Sequence, residues 1–351
     1  MATVLRKLPD LSTEAHWRQF WTSVGDDTLI VSGRTRSGGY PLQPERLSVR
    51  AVWGGRAEYS VGGNRLVIDD DCYQVVNPGS EGALRIQSAQ DLEWLSVHYS
   101  ATTAAAALTR FSGSAEDWLD GRAPATPSMP RFAEHLRPHD RLVTPALIAL
   151  ARQVEQGAVP DPAQCEERAL AVLERLGRMH GEERTHILEL AQVRLRTKRE
   201  IHRRIWAATD FLLSSYDRPL TLQQLADVAC LAKYHFLRMF VAVHGLTPME
   251  FLRCKRVAVA SRLLRSTSLS LVEIAHIVGV ADRSTLLRLF VEYCDLTPEE
   301  YRRRPRVAGE VRPSPTWLNE LLTARARSDA EESRVAALPA VVASSEASVG
   351  M

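Results

Sequence analysis

The chain has 351 residues, a net charge of +2, and apolar and charged fractions of 45% and 25%, which are typical of a globular protein and exclude wholesale disorder. It has no apolar run of about 18 residues that would span a membrane, and its N-terminus lacks the apolar core of a signal peptide. Five dispersed cysteines without a CxxC pair argue against a disulfide framework or a zinc site. We therefore expect a cytoplasmic protein of two or three domains that makes no membrane contact.

The pattern of residues 28–100 predicts a β-domain. Apolar and polar residues alternate in short runs such as 47–53 and 57–61, and Gly-Gly and Asn-Pro-Gly turns separate the runs. About six short strands at this spacing are typical of a sandwich or a small barrel. Residues 101–125 are Ala-rich and are predicted to be helical, and a Pro-rich break follows them.

From about residue 140 to residue 213 the apolar periodicity is helical. The run ALAVLERL (169–176) carries an apolar stripe made of Leu170, Leu173 and either Val172 or Leu176. This stripe can pack on the β-domain of its own chain or on a second copy, and the pattern does not separate the two.

An internal repeat of about fifty residues occupies positions 220–303. LTLQQLADVACLA aligns with LSLVEIAHIVGVA, and FLRMFVAVHGLTPMEFLR aligns with LLRLFVEYCDLTPEEYRR. Capping-box patterns, two of them with proline at the first helical position, predict helix starts near 222 and 247 in the first copy and near 271 and 297 in the second. Between them, a second helix is predicted to follow the tight turn from about 233 and 282. Two helices joined by a tight turn and closed by a third describe a helix-turn-helix unit.

The second helix of each unit has one apolar face, with apolar residues at i, i+3, i+4 and i+7 that predict its core side. The opposite face carries side chains able to bond base edges or phosphates, or to touch a thymine methyl, in a DNA major groove. A plain solvated face is the alternative. The predicted DNA contacts are Lys233, Tyr234, His235, Leu237 and Arg238 in the first unit and Arg283, Ser284, Thr285, Leu287 and Arg288 in the second.

Charge and spacing support two simultaneous DNA contacts. Residues 201–306 hold 16 lysines and arginines against 10 aspartates and glutamates, whereas the segments before and after each have a net charge of −2. The helix between the two units has roughly 20 residues, or ~30 Å. Because one turn of DNA is ~34 Å long, this helix can set both units into successive major grooves.

The stretch from about 203 to 304 resembles the DNA-binding domain of the AraC/XylS family of bacterial transcription regulators. The motifs LTLQQLADVA, HGLTPMEFL, SLVEIAHIVGVADRSTLLRLF and LTPEEYRR occur in the family's order. The resemblance implies double-stranded promoter DNA and RNA polymerase as partners. It assigns recognition to Tyr234, Leu237, Arg238, Ser284, Thr285 and Arg288. The chain departs from the family at Cys230, where Gly is usual, at Ala232, where a capping Ser is usual, and at Val280, where Phe is preferred.

In this family a cupin-type β-barrel often precedes the DNA-binding domain, binds a small effector and mediates dimerisation. Residues 45–100, with the stretch EYSVGGNRLVIDDDCYQVVNPG, resemble that module. No histidine lies between His16 and His98, so we expect neither an imidazole metal site inside the barrel nor a cofactor.

An effector pocket needs an apolar lining with a few placed polar groups. Arg34 or Arg36 is available for an anionic group, and ordinary core packing is the alternative for every aromatic residue. The predicted lining residues are Trp53, Tyr59, Tyr73, Trp94 and His98.

The sequence as a whole predicts a multidomain α and β protein. A cupin-like β-barrel covers 1–135, a helical connector and candidate dimer interface covers 136–200, and an all-α domain with two helix-turn-helix units covers 201–306. The Ala-, Val-, Ser- and Glu-rich tail over 307–351 is predicted to be disordered beyond its TWLNELL stretch.

The predicted function is sequence-specific transcription regulation by a homodimer that responds to a small-molecule effector and has no enzymatic activity. Two alternatives stay open. One is an architectural or partner-binding DNA-binding protein whose barrel senses nothing, and the other is a cupin enzyme fused to a DNA-binding domain.

Overall fold

The structure is a computed structural model that describes residues 2–7, 14–41, 45–61, 64–109, 130–156, 159–189 and 195–304, together with Leu318 and Leu322. Within these ranges no helix combines the length and the apolar character needed to cross a membrane.

The N-terminal part of the described chain is an eight-stranded sheet that curves into a nearly closed barrel. Its strands are β1 (Ala2–Leu5), β2 (Thr28–Pro41), β3 (Leu47–Trp53), β4 (Arg56–Val61), β5 (Asn64–Asp69), β6 (Cys72–Val76), β7 (Gly82–Tyr99) and β8 (Leu136–Pro138). The strand order is β1-β2-β7-β3-β6-β8, and the β4–β5 hairpin joins through β4. The 18-residue strand β7 pairs with β4 in its first half and with β3 in its second half, so the β4–β5 hairpin and the β3–β6–β8 strands both join the sheet through β7. This arrangement confirms the predicted barrel.

Helices cover the outer face of this barrel. They are α2 (Ala101–Leu108), α3 (Thr144–Glu155) and α4 (Pro162–Glu189), and a further helix, α1 (Glu14–Val24), precedes β2. Val172, Leu173 and Leu176 of α4 are buried in one cluster with β3 residues such as Val49, whereas Leu170 is exposed. Leu173, Val172 and Leu176 therefore pack on the barrel of their own chain, and the prediction that Leu170 belongs to this stripe is wrong.

The C-terminal part of the described chain is all helical. Its helices are α5 (Leu195–Ser214), α6 (Leu222–Val228), α7 (Lys233–His244), α8 (Pro248–Ser266), α9 (Leu271–Ile277), α10 (Arg283–Cys294) and α11 (Pro298–Arg303). Six of the seven begin within one residue of the positions predicted from the repeat. Capping boxes form at Thr221, Thr247, Ser270 and Thr297, where each hydroxyl accepts the N3 amide and the N3 side chain returns to the cap. The predicted two helix-turn-helix units are confirmed.

Four features bear on the predicted boundaries. Strand β8 pairs with β6, so the sheet extends past residue 135 into the segment predicted as a connector. Helix α5 continues through residue 200 without a break. The predicted helix over 101–125 ends at Leu108, and residues 110–125 lie outside the described part of the chain. The predicted disordered tail also lies outside it, apart from Leu318 and Leu322, which are buried in a cluster with the helix-turn-helix cores.

Candidate nucleic-acid interface

The turns that place α7 and α10 share one backbone conformation. Cys230 has a φ of 50° and Gly279 a φ of 72°, so both residues are left-handed at equivalent positions of the repeat. Glycine adopts this region without a steric penalty, whereas a side chain with a Cβ does so at a cost. A Cβ at Gly279 would also lie 2.6 Å from the carbonyl carbon of Asp217. The first unit therefore keeps a strained turn where the second uses glycine.

Helix α7 presents the first predicted contact surface to solvent. Tyr234 is 83% exposed, and Lys233 and Arg238 are exposed as well. His235 and Leu237 are half-buried beside them. All five predicted side chains thus keep solvent-accessible surface.

The core side of α7 is formed by Phe236 and Phe240, which are fully buried. Ala232 at the N-cap makes no side-chain capping bond, as expected for a residue without a hydroxyl.

Helix α10 presents the second predicted contact surface. Asp282 caps it, with Oδ1 accepting the Thr285 amide at 2.7 Å, and this hydrogen bond lowers the pKa of the Asp282 carboxyl. Arg283, Ser284 and Arg288 are exposed, and Thr285 and Leu287 are half-buried.

Arg283 has a partner on its own domain. Its Nη2 donates to Oε1 of Glu299 at 3.3 Å, between two exposed side chains. Within the described residues Arg288 forms no salt bridge of this kind, although its positive charge also helps to lower the pKa of the Asp282 carboxyl.

Helix α8 joins the two units and is fixed on both sides. Its 19 residues give a length of about 28 Å at 1.5 Å per residue. Arg256 donates to the carbonyl oxygens of Tyr216 and Arg218 at 2.9 and 2.8 Å, which ties α8 to the turn after α5.

Helix α8 is also tied to the barrel through four ionised side chains, Asp69, Asp71, Lys255 and Arg262, which we call the interdomain cluster. Lys255 Nζ donates to both carboxylate oxygens of Asp69 at 2.8 and 2.7 Å and to Asp71 at 2.7 Å. Arg262 donates two hydrogen bonds to Asp71, and the one from Nη2 to Oδ2 has a length of 2.8 Å. The link joins the end of β5 and the turn before β6 to the spacer between the two helix-turn-helix units.

The interdomain cluster is buried, and its charges compensate one another. Lys255 and Asp71 are both 0% exposed. Burial alone would raise the pKa of Asp71, but Arg262 and Lys255 hold it well below its usual range. Burial alone would lower the pKa of Lys255, but Asp69 and Asp71 raise it. The opposite charges of the cluster therefore stabilise one another in the buried interface.

Helix α5 adds further contacts between barrel and helical domain. Ser214 Oγ accepts the Val67 amide at 3.1 Å, and Asp210 Oδ1 accepts the Leu136 amide at 2.7 Å. In the turn after α5, Asp217 pairs with Arg56 of β4 at 3.1 Å. The barrel thus contacts the helical domain through α5, its following turn and α8.

The five predicted effector-pocket residues do not share one face of the sheet. Tyr59, Trp94 and His98 lie on the inner face of the barrel, where they cluster or alternate with apolar inner residues such as Val52. His98 Nε2 is 2.8 Å from the hydroxyl of Ser96, which lies between Trp94 and His98 on the same face.

Trp53 and Tyr73 lie on the outer face, and this corrects their placement in the pocket. Tyr73 stands opposite Ala51 in the sheet, and its hydroxyl donates to Asp140 at 2.8 Å. Trp53 stacks on His139 with ring centroids 6.4 Å apart. Each lies next in sequence to an inner-facing residue, so its side chain points to the opposite face of the sheet. There it packs against the helices that cover the barrel.

The arginines predicted for an anion also point elsewhere. Arg34 pairs with Glu93 at 2.8 Å and Arg36 with Asp91 at 2.7 Å, both with exposed guanidinium groups. The inner face instead holds Arg50, which is not among the residues predicted to line the pocket. The local sequence signal for Arg50 is that a charged residue occurs within the alternating run LSVRAVW. No group of three His, Cys, Asp or Glu side chains in the described ranges could hold a metal ion.

Comparison with known proteins identifies relatives of the helical domain. A helix-turn-helix domain family matches residues 225–304. The RCS-specific HTH-type transcriptional activator RclR of Escherichia coli is 32% identical over 106 residues, which are 30% of this chain and 37% of that protein. A putative AraC-like transcription regulator of Streptomyces lividans is 27% identical over 200 residues, 56% of this chain and 61% of that protein.

A shorter relative is matched over most of its length. The regulatory protein SoxS of Salmonella typhimurium is 33% identical over 88 residues, which are 25% of this chain and 82% of that protein. The chain therefore spans less than two thirds of RclR and of the Streptomyces lividans protein, but most of SoxS.

Proposed function

The chain belongs to the AraC/XylS family of bacterial transcription regulators, and from that premise we propose that it binds specific promoter DNA in response to a small-molecule effector. The helical domain supplies the DNA contact and the barrel supplies the sensor. Relatives named as transcriptional regulators support the first role, and the contacts between barrel and helical domain support the second.

The proposed DNA contacts are the ten exposed or half-buried side chains of α7 and α10 described above. Arg238 and Arg288 occupy equivalent positions in the repeat and are both exposed. A guanidinium group can donate two hydrogen bonds to guanine O6 and N7 or neutralise a phosphate. These two arginines are therefore the principal proposed anchors of the two units.

The interdomain cluster is the observation that carries the sensor role. Helix α8 sets the angle between α7 and α10, and Lys255 and Arg262 fasten that same helix to Asp69 and Asp71 of the barrel. A ligand that shifts the β5–β6 turn would favour one relative orientation of α7 and α10 over another. Binding at the barrel would in this way change the affinity of the helical domain for DNA.

DNA binding can be tested with single substitutions in the full chain. The DNA probe is a high-affinity binding site selected from a random-sequence library. We expect Arg238→Ala and Arg288→Ala each to weaken binding to this site by ~1–3 kcal/mol if the side chain contacts a base. Fluorescence anisotropy at fixed salt measures the affinity, and circular dichroism checks folding.

The matched control is Arg178→Ala, which removes an exposed arginine of α4 that lies outside the helical domain. It should leave DNA affinity unchanged. Unaltered affinity in both the Arg238 and the Arg288 variants, with folding intact, would remove the proposed docking surface.

The remaining parts of the proposal follow family membership. We propose that the chain works as a cytoplasmic homodimer, contacts RNA polymerase and has no enzymatic activity. The divisions at about 135, 200 and 306 are proposed as functional units, with β8 added to the barrel.

A further inference from the structure

Arg50 is a buried cation without a carboxylate partner in the described part of the chain. The residue is 4% exposed, and Nη1 has no hydrogen-bond partner. Its guanidinium carbon lies 5.1 Å from the centroid of the Tyr59 ring. Burial lowers the pKa of Arg50, and Tyr59 opposes this shift through its charge and hydrogen-bond interactions.

The other buried cations of the described chain are all compensated. Lys255 has Asp69 and Asp71. Arg137, also 4% exposed, donates to both oxygens of Glu183, with one bond of 3.2 Å. Arg46 donates to the carbonyl oxygens of Gly25 and Asp27. A buried charge with no such compensation is costly, so Arg50 is the exception that needs a reason.

Further polar groups surround Arg50 on the inner face of the barrel. In the sheet register, Arg50 stands opposite Gln74 on β6 and opposite Ser96 on β7. Ser48 and His98 form the neighbouring row on the same face. Because directly opposed residues of antiparallel strands project to the same side, these five side chains converge.

Several of these groups also lack hydrogen-bond partners. Both amide atoms of Gln74, the hydroxyl of Ser48 and Nδ1 of His98 are buried and unbonded. Burial, with the positive charges of Arg50 and Arg46, lowers the pKa of His98 well below its usual value, so its ring is neutral. A neutral ring supplies a hydrogen bond without adding a second positive charge.

Apolar residues border this polar group on the inner face. Trp94 and Val52 face each other in one row, Val31 stands opposite Ser96, and Val76 stands opposite Ser48. All four belong to the buried hydrophobic cluster of the inner face. The site therefore combines one cation, several neutral polar groups and an aromatic and aliphatic lining, as small-molecule sites do.

We propose that the inner face of the barrel binds a small organic monocarboxylate, with Arg50 as its counter-ion. The proposal rests on the effector-responsive function proposed above and names the chemical class of the effector. One guanidinium group offers two parallel N–H donors that match a carboxylate. Gln74 and Ser48 complete the hydrogen bonding, and the ligand's apolar body packs on Trp94 and the valines. A phosphate dianion would bring more negative charge than Arg50 neutralises.

The ligand-free protein offers a first test. Since Arg50 is uncompensated without ligand, Arg50→Met should raise the thermal midpoint of the full chain in carboxylate-free buffer. Arg137→Met is the matched control, because it removes an equally buried arginine that has a carboxylate partner, and it should lower the midpoint. A lower midpoint for Arg50→Met would show that Arg50 serves the ligand-free fold and would overturn the proposal.

Ligand binding is tested by calorimetric titration and thermal shift of the full chain. The probes are acetate, hexanoate, decanoate and benzoate, with hexanamide and benzamide as uncharged analogues and inorganic phosphate as a second anion. We expect saturable binding of at least one carboxylate but not of its amide. Arg50→Met should weaken this binding by about tenfold or more, and Arg137→Met should retain it.

Three results would overturn the proposal: no carboxylate binds, amide or phosphate binds equally well, or Arg50→Met binds like the parent. DNA affinity is measured in parallel by anisotropy to separate this proposal from the proposed function. Carboxylate binding that leaves DNA affinity unchanged supports the site and contradicts effector response. DNA affinity that responds only to uncharged compounds supports effector response and overturns the carboxylate assignment.

Discussion

At the residue scale, the two helix-turn-helix turns offer a direct comparison of backbone strain. Cys230 and Gly279 both have positive φ, and only Gly279 is a glycine. We expect Cys230→Gly to raise the free energy of unfolding by ~0.5–1 kcal/mol, because the relief of left-handed strain exceeds the added entropy of the unfolded chain. Gly279→Ala should lower it by ~2 kcal/mol or more, since the new Cβ meets the Asp217 carbonyl. Urea denaturation followed by circular dichroism measures both.

The control for this comparison is Cys230→Ala, which removes the thiol and keeps the Cβ. Its stability should match that of the parent chain. If Cys230→Ala stabilised the protein as much as Cys230→Gly, the thiol rather than the backbone would be responsible.

Acid should destabilise the protein through His139. Burial lowers the pKa of His139 to about 4, whereas an unfolded histidine titrates near ~6.5. As the pH falls below ~6.5, the unfolded chain takes up the proton first, so stability is full above that pH and is lost progressively toward 4. These values correspond to a loss of about 2 kcal/mol between pH 7.5 and pH 5.

Denaturation curves at several pH values test this with His139→Asn, whose amide can retain the bond to Thr144, 3.0 Å from His139 Nδ1. The variant should lose less stability between pH 7.5 and 5 than the parent. Equal slopes would show that His139 is not a source of the pH dependence. His98 and His135, whose pKa values burial also lowers, leave a residual slope in the variant.

At the element scale, the helices were the most predictable part of the fold. Capping is local, since a hydroxyl at Thr247 or Ser270 and an acid three residues later determine where a helix begins. The positions of the strands could be predicted, but which face of each strand points into the barrel could not. The run 47–53 alternates, and alternation usually separates a buried face from a solvated one. In this barrel both faces of β3 are buried, so alternation alone neither identified Arg50 as an inner residue nor placed Trp53 on the outer face.

The interdomain cluster could not be predicted from local pattern. Asp69 and Lys255 are 186 residues apart in the chain. The apolar pattern around each residue predicts its own strand or helix and carries no sign of the distant partner. Only the packing of the barrel on α8 brings them together.

Breaking one pair of the interdomain cluster should be costly. Lys255→Met and Asp69→Asn should each lower the free energy of unfolding by ~3 kcal/mol, because each leaves buried charge uncompensated. The double variant should lose less than the two single losses added together, with a coupling of ~1–3 kcal/mol. Denaturant titration of all four proteins measures the cycle.

The matched control is the exposed pair of Arg178 and Glu174, whose side chains are 3.0 Å apart. Glu174→Gln should change stability by less than ~1 kcal/mol, because exposed pairs contribute little. Additive losses at Lys255 and Asp69 would contradict their direct coupling.

At the scale of the whole molecule, barrel and helical domain share one buried cluster. Tyr59 and Val52 of the barrel belong to the same hydrophobic cluster as Leu212 of α5 and Phe240 of α7. Together with the interdomain cluster, this continuity predicts that the full chain unfolds in one calorimetric transition near neutral pH, although multidomain proteins often show several. Lys255→Met should split the transition into two.

Differential scanning calorimetry measures this, and Arg178→Ala serves as a control that should keep one transition. Two transitions in the parent chain would show that the shared cluster does not couple the domains. A single unsplit transition in Lys255→Met would show that the apolar contacts suffice without the ion pairs. The order of the domains could be read from the sequence, whereas this continuity depends on their docking.

Helix α8 both spaces the two helix-turn-helix units and carries Lys255 and Arg262, two turns apart, to the barrel. In evolutionary terms, a substitution at either residue can be offset by one change at its partner, but a gain or loss of a residue rotates everything beyond it by about 100°. No single substitution restores the DNA spacing and the barrel contact together. Homologues of this protein should therefore differ in the amino acids along α8 but keep the same number of residues in it.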